Sequence, residues 1–219
     1  MAESKNYIPA LKYDWLTKVY DPVLQLTMPE RKFKTALIDQ MNIQPGERVL
    51  DFGCGSLTLS MMAAQRHAEA EFHGVDIDEK ILFIAKKKLE ETNLPVQVKL
   101  YDGEKLPYAD NAFSKVMSSL VFHHLTERQK HEALGEIKRV LKLGGSFHIA
   151  DFGKPASVFQ RFGFYAVQIL DGFETTNDSV KYILPNAMKQ AGLQQIKEGE
   201  VFKTLVGTVR LISGVKQFE

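Results

Sequence analysis

The sequence predicts an α/β protein with a doubly wound, mostly parallel sheet. From residue 45 to residue 152, short apolar runs of strand character alternate with amphipathic helical patterns. Such alternation is typical of parallel strands joined by right-handed helical crossovers. Residues 196–203 and 206–216 are two strand-like runs separated by a short turn, and they indicate an antiparallel hairpin.

Length and composition restrict the class of protein. A chain of 219 residues fits one domain, which we divide into an N-terminal helical cover (1–44), a core (45–152) and a lid segment with the terminal hairpin (153–219). The content of hydrophobic residues, 44%, excludes a disordered chain. A net charge of +1 gives no indication of a nucleic-acid partner. No apolar run approaches the ~20 residues of a membrane span, and residues 1–6 lack the apolar core of a secretory signal. We therefore expect a cytoplasmic protein without stable membrane insertion.

Each predicted element has its own pattern. Residues 8–41 have helical periodicity that is interrupted at Asp21-Pro22, and Pro29 can open the last helix. The apolar stripe of that helix is Phe33, Leu37, Ile38 and Met41. In the core we predict, in order, strand Arg48–Phe52, helix Ser56–Arg66, strand Glu71–Asp76, a helix with Asp78 as its N-cap, strands Val96–Tyr101 and Ala112–Leu120, helix Thr126–Leu141, a turn at Lys142–Gly145 and strand Ser146–Asp151.

The most informative stretch is Val49–Ser56, a buried strand that runs into a glycine turn and then a helix. Gly53 and Gly55 permit a tight turn and close approach of a ligand, and the next helix presents free amide groups. Asp51 can accept a hydrogen bond from a ligand ammonium group. About twenty residues later Asp76 ends another strand, where a carboxylate can bridge the two hydroxyls of a ribose.

The spacing argues against a dinucleotide site. The Gly-x-Gly-x-x-Gly pattern requires a glycine at position 58, where this chain has Thr58. Asp51 would also repel a pyrophosphate. A cofactor with an ammonium group and no phosphate fits better, and the alternative is a structural turn with solvent-facing acids.

Six segments, taken in order, resemble the class I S-adenosylmethionine-dependent methyltransferases, particularly the small-molecule branch that includes the ubiquinone/menaquinone C-methyltransferases. The segments are Val49–Ser60, Gly74–Lys88, Tyr101–Pro107, Asn111–Phe113, Ser119–Leu125 and Ile137–Phe152. The resemblance implies a Rossmann-like, seven-stranded sheet with one antiparallel strand. It also implies S-adenosyl-L-methionine as cofactor, S-adenosyl-L-homocysteine as product and a small-molecule acceptor. We expect a monomer or a homodimer.

The resemblance also implies a set of cofactor-binding residues. Asp51, Gly53, Cys54 and Gly55 would line the methionine end, Asp76 the ribose, and Ile77, Asp102 and Gly103 the adenine, while Ser119 and Leu120 would lie below the sulfonium. Tyr20, with Tyr13, would fold over the site; alternatively, both pack against Trp15 and the body of the domain. One departure concerns Leu57, where the family commonly has a third glycine. A leucine there would narrow the loop or shift its path.

Candidate catalytic residues follow the fourth and fifth strands. A general base is needed only if the acceptor loses a proton, and His123, His124 and Asp151 could serve. Alternatively, one imidazole caps the next helix and Asp151 caps the following segment. His131 completes no recognisable metal-ligand set, so no metal is predicted.

An aromatic group, Phe159, Phe162, Phe164 and Tyr165, predicts either a lid over an apolar acceptor or a patch of core. Two other functions stay open at this point. One is cofactor binding without methyl transfer, and the other is methylation of a nucleic acid or a protein.

Overall fold

A seven-stranded sheet organises the computed structural model, which describes residues 29–153, 183–204 and 207–217. The strands lie in the order β3-β2-β1-β4-β5-β7-β6. The strands are β1 Arg48–Phe52, β2 Glu71–Asp76, β3 Val96–Leu100, β4 Phe113–Ser119, β5 Leu141–Gly153, β6 Leu193–Thr204 and β7 Gly207–Lys216, and the helices are α1 Glu30–Met41, α2 Thr58–Arg66, α3 Glu79–Thr92, α4 Glu127–Val140 and α5 Leu184–Gln190, with a 3-10 turn at Phe122–His124.

Strand pairing confirms the predicted architecture. Strands β1 to β5 pair in parallel, and β7 is antiparallel to both β5 and β6. The chain runs outward from β1 to β3 and then crosses to β4 on the other side of β1. This reversal creates a crevice between β1 and β4 at the carboxyl ends of the strands, which is where ligands of doubly wound sheets bind.

Two apolar clusters lie on the two faces of the sheet. The first contains the predicted stripe of α1 and the buried apolar residues of α2 and α3. The second contains the buried apolar residues of α4 and α5. Neighbouring residues of β1 divide between the clusters, since Val49 belongs to the first and Leu50 to the second. The helices therefore hold a sheet that is buried on both faces.

Helix starts follow local capping chemistry. Asp78 accepts hydrogen bonds from the amides of Lys80 (2.8 Å) and Ile81 (3.4 Å), as predicted. Thr126 and Gln129 form a capping box at the start of α4. These caps supply partners for amides that have none within the helix.

The observed β5 is longer than the predicted strand Ser146–Asp151. Leu141 pairs with Phe113, and the next paired residues are Ser146 and Lys115. Lys142–Gly145, predicted as a turn, is therefore a wide irregularity inside β5, with Gly144 at a φ of 78°. Helix α2 begins at Thr58 rather than Ser56.

In the described part of the chain, no helix is long and apolar enough to span a membrane, and no group of three or more His, Cys, Asp or Glu side chains could hold a metal ion.

Candidate active site

A cavity of about 590 Å³ opens at the carboxyl ends of β1, β2 and β4. It lies at the crevice that the strand order predicts. Its described lining is Glu30, Lys34, Asp51, Phe52, Gly53, Cys54, Gly55, Ser56, Thr58, Leu59, Asp76, Ile77, Asp78, Ile81, Tyr101, Gly103, Ser119, Leu120, Val121, His124, Leu125, Gln129 and Ala133. Nine of the predicted cofactor residues are in this set: Asp51, Gly53, Cys54, Gly55, Asp76, Ile77, Gly103, Ser119 and Leu120.

The glycine turn is held against β2 by backbone hydrogen bonds. The amides of Gly53 and Cys54 both donate to the carbonyl of Val75 at 2.9 Å. Gly53 has a φ of 69°, and a Cβ there would lie 2.5 Å from Cγ2 of Val121. Only glycine satisfies both constraints. At Gly55, with a φ of 51°, a Cβ would meet no atom within 4 Å, so this part of the turn borders open space.

Asp76 joins the glycine turn to the start of α3. One of its oxygens accepts from the amide of Gly55 at 2.8 Å, and the other accepts from the amide of Asp78 at 3.0 Å. Each carboxylate oxygen has a second lone pair. The half-buried carboxylate is therefore fixed in orientation and can still accept hydrogen bonds from a ligand.

Asp51 is almost completely enclosed, with 1% of its surface exposed. Ser60 donates its hydroxyl to Oδ2 of Asp51 at 2.7 Å. Burial raises the pKa of Asp51 to about 6, while the Ser60 hydrogen bond and the charge of Lys34 oppose this rise and the charge of Asp76 adds to it. The carboxylate is thus a poorly hydrated negative charge in the cavity wall, and a ligand cation would stabilise it.

Leu57 does not line the cavity. Its φ of 65° lies in the left-handed region, and its side chain is fully buried. A Cβ added to Gly74 of β2 would lie 2.9 Å from Cδ2 of Leu57. The side chain is therefore packed into the core against Gly74, and it leaves the cofactor side of the loop open.

Asp151 and His123 form a buried pair beneath the cavity. Nδ1 of His123 and Oδ1 of Asp151 are 2.7 Å apart, and Oδ2 accepts from the amides of Val121 (3.1 Å) and Phe122 (2.7 Å). Burial acts to raise the pKa of Asp151, but the charge and hydrogen bond of His123 and the amides of Phe152 and Phe122 outweigh it and lower the pKa. Neither side chain is in the described lining, so this pair fixes the turn after β4.

His124 is the catalytic candidate whose side chain lines the cavity. Its ring centroid is 3.9 Å from that of His123. Burial, followed by the charge of His123, lowers the pKa of His124 to about 3, although Asp151 acts in the opposite direction. The imidazole is therefore neutral near pH 7 and can accept a hydrogen bond.

Ile77 and Tyr101 add apolar side chains to the lining beyond Asp76. Ile77 is 44% exposed, and Tyr101 packs edge-on to Phe52 with the ring centroids 5.8 Å apart. The hydroxyl of Ser119 is buried and has no hydrogen-bond partner among the described residues, which leaves it available to a ligand. Asp102, which was predicted beside the adenine, is absent from the described lining. Its carboxylate accepts hydrogen bonds from the amides of Glu104 (2.8 Å) and Lys105 (3.0 Å).

Sequence reasoning missed several lining residues. Glu30 and Lys34 come from α1, Tyr101 directly follows β3, and Gln129 belongs to the capping box of α4. The sequence around Lys34 does not indicate a binding residue, because a lysine next to the apolar stripe of a helix is common. Tyr101 could have been predicted by the argument used for Asp76, since it also lies at the end of a strand.

Some predicted residues lie outside the described part of the chain. They are Tyr13, Tyr20 and the aromatic group at positions 159–165. Their roles stay predictions.

The chain is similar in sequence to known methyltransferases. Residues 49–145 match the family model described as a methyltransferase domain. Over 204 residues the chain is 30% identical to the ubiquinone/menaquinone biosynthesis C-methyltransferase UbiE of Paraburkholderia phymatum, and the match covers 85% of this chain and 82% of the relative.

Two solved structures have a similar fold. A SAM dependent methyltransferase from Aquifex aeolicus has a TM-score of 0.64 at 22% identity, and the match covers 93% of this chain and 100% of the other. Phosphoethanolamine N-methyltransferase 2 of Haemonchus contortus, solved in complex with S-adenosyl-L-methionine, has a TM-score of 0.67 at 18% identity, and the match covers 85% of this chain and 53% of the other.

Proposed function

Because this chain belongs to the class I S-adenosylmethionine-dependent methyltransferases and transfers a methyl group to a small-molecule acceptor, we propose that the described cavity is its active site. The observation that carries this proposal is the placement of Asp51 and Asp76 at the ends of adjacent strands, on either side of the glycine turn. One carboxylate is enclosed and the other is half-exposed with free lone pairs. This difference matches an ammonium group at one end of the cofactor and ribose hydroxyls in its middle.

The residues present fit the cofactor part by part. We assign Asp51, Gly53, Cys54 and Gly55 to the methionine end and Asp76 to the ribose hydroxyls. Ile77 and Gly103 border the adenine space, where a Cβ on Gly103 would meet no atom within 4 Å. Ser119 supplies a buried hydroxyl without a described partner, and Leu120 lies beside it. Tyr20 and Asp102 keep their sequence-based assignments as proposals.

When bound, S-adenosylmethionine supplies an electrophilic methyl group attached to a sulfonium. The protein must then hold the acceptor in line with that methyl group, and correct alignment lowers the barrier by removing the entropic cost of the encounter. Leu120, Val121 and Leu125 give the wall beside His124 an apolar character. These side chains favour an acceptor with an apolar or aromatic body.

We propose that the acceptor is a hydroxylated aromatic ring that is methylated on carbon, as the name of the related C-methyltransferase suggests. The neutral imidazole of His124 would accept the hydrogen bond of the ring hydroxyl and orient the ring, and its low pKa suits a hydrogen-bond acceptor rather than a general base. His123 and Asp151 would hold His124 and the turn in place. Because the net charge is +1, we propose no nucleic-acid partner. Salt-dependent binding of RNA or DNA would contradict this.

Titration calorimetry of Asp76→Ala with S-adenosylhomocysteine tests the site. We expect about a ten- to hundredfold loss of affinity, because two charge-assisted hydrogen bonds to the ribose disappear. Asp39→Ala is the control, since Asp39 is a carboxylate on α1 that pairs with Arg66 at the surface and does not line the cavity, and such an exposed pair contributes little to stability. An unchanged affinity of Asp76→Ala would refute the ribose assignment. A panel of hydroxylated aromatic acceptors with radiolabelled cofactor then tests the transfer, and binding without turnover of any acceptor would favour a cofactor-binding protein.

A further inference from the structure

Lys34 of α1 lies in the wall of the cavity with only 8% of its surface exposed. It is the single lysine or arginine among the described lining residues. Four carboxylates share that lining, namely Glu30, Asp51, Asp76 and Asp78. Burial of a lysine is costly unless a negative partner compensates for it. Because Lys34 lies in the wall of a ligand cavity, a negatively charged ligand is a candidate partner in addition to the acidic side chains of the protein.

Two negative groups of the protein face this lysine. Its ammonium group forms an ion pair with Glu30, one helical turn earlier, whose side chain is 42% exposed. Its charge also acts on the Asp51 carboxylate, where it partly offsets the effect of burial. One end of the cavity thus holds a positive and a negative side chain within electrostatic range of each other. An amino-acid group, which carries an ammonium and a carboxylate on one carbon, is the complementary ligand.

We propose that Lys34 binds the carboxylate of the cofactor's methionine end while Asp51 binds its ammonium group. This inference rests on the proposed active site and extends it to a residue of α1. The amides at the start of α2, whose N-cap Leu57 provides no side-chain acceptor, lie in the same part of the lining at Thr58 and Leu59. They supply additional donors to the same carboxylate.

Cofactor binding would replace the ion pair between Lys34 and Glu30 by one between Lys34 and the cofactor. In the ligand-free protein the Glu30 carboxylate is paired with the ammonium group of Lys34, and the cofactor carboxylate must compete with it. Because Glu30 is substantially exposed, water compensates for its release. Glu30 therefore weakens cofactor binding, and a neutral residue at this position strengthens it.

Three ligands separate the contributions in a calorimetric test. S-adenosylhomocysteine has both charged groups, its decarboxylated analogue retains only the amine, and methylthioadenosine has neither. For Lys34→Met we expect about a ten- to hundredfold weaker binding of S-adenosylhomocysteine and no weaker binding of the other two ligands. Glu30→Gln should bind S-adenosylhomocysteine several-fold more tightly. Lys32→Met, which removes an exposed charge from the same helix, is the control.

The pattern of results separates this inference from the proposed function. If Lys34→Met weakens the binding of all three ligands equally, or of none, the carboxylate assignment is wrong. If it changes only the melting temperature, the lysine is structural and the assignment is also overturned. If the unaltered protein binds none of the ligands, the proposed active site itself fails.

Discussion

Asp51 is a carboxylate that the fold removes from water. Its pKa of about 6 in the folded protein exceeds the ordinary value of 3.8 because of burial, despite the hydroxyl of Ser60. A raised carboxyl pKa means that the folded state holds its proton more tightly than the unfolded state. The contribution to stability is therefore complete below about pH 3.8 and is lost as the pH rises through about 6. At neutral pH the empty protein holds a charge that destabilises it.

Asp51→Asn should raise the free energy of unfolding at pH 7 by up to about 3 kcal/mol, because the amide removes the buried charge. The same substitution should abolish measurable binding of S-adenosylhomocysteine. Chemical denaturation at pH 7 and pH 4 checks the first expectation, since the gain should vanish at the lower pH. A destabilised variant at pH 7 would show that the carboxylate is well compensated in the folded protein. Asp39→Asn, at an exposed carboxylate, should have little effect at either pH.

A side-chain contact with β2, in addition to the backbone hydrogen bonds to Val75, supports the segment from the glycine turn to α2. Leu57 holds a left-handed backbone conformation, which costs a non-glycine residue about 1–2 kcal/mol. The buried side chain offsets that cost by packing against Gly74. Gly74 in turn lacks room for a Cβ, which would lie 2.8 Å from Sγ of Cys54. Strand β2 thus packs directly against the Cys54 and Leu57 side chains of the turn.

Gly74→Ala should destabilise the protein by about 1–3 kcal/mol and weaken binding of S-adenosylhomocysteine, because the added methyl group displaces Leu57 and Cys54. Combining it with Leu57→Ala should cost less than the sum of the two single changes, since the smaller side chain relieves part of the clash. Denaturant unfolding of the four proteins in this cycle measures the coupling. Strict additivity would mean that the two residues do not share this space.

Leu57→Gly should be about 1 kcal/mol more stable than Leu57→Ala. Both variants lose the buried side chain, but only glycine adopts the left-handed conformation without strain. The same unfolding measurements check this order. A more stable alanine variant would indicate that the turn changes its backbone conformation once the side chain is lost.

Two histidines on different strands and turns of the molecule, His124 and His148, are held in their neutral form. Burial lowers the pKa of His148 to about 3, with a further contribution from the charge of Lys115, and that of His124 is also about 3. The unfolded chain binds these protons near pH 6.5, so it holds more protons than the folded state at lower pH. Stability is therefore fully present above about pH 6.5 and is lost on acidification toward pH 3. Asp51 has the opposite effect on stability, because between about pH 3.8 and pH 6 the folded state holds a proton on this carboxyl that the unfolded state has released.

His148→Gln should flatten the acid side of the stability profile. Each neutral buried histidine contributes a slope of about 1.4 kcal/mol per pH unit between its two pKa values, and the glutamine has no proton to bind. Urea midpoints measured from pH 6.5 to pH 4.5 check this expectation. An unchanged slope would show that the His148 imidazole is protonated in the folded protein.

Much of the fold and part of the site follow from local patterns. The bounds of β1 and β2 match the prediction, because each strand ends at an acid or directly before a turn. Residues at strand ends could be assigned because parallel strands bring their carboxyl ends together. Lys34 could not be assigned to the site from the sequence, since its position depends on how α1 packs across the first cluster. The direction of the Leu57 side chain could not be predicted either, because it depends on one backbone angle, the φ of that residue.

The contact between Leu57 and Gly74 also constrains how this loop can evolve. A leucine at position 57 requires that position 74 already be glycine, because a Cβ there would lie 2.9 Å from Cδ2 of Leu57, and Cys54 imposes the same requirement at 2.8 Å. The order of substitution is therefore not free, because the leucine is accessible only after the permissive glycine. A side chain can return to position 74 only after both Leu57 and Cys54 have been replaced by smaller residues. Two positions seventeen residues apart, neither of them in the described cavity lining, should consequently vary together among descendants of this chain.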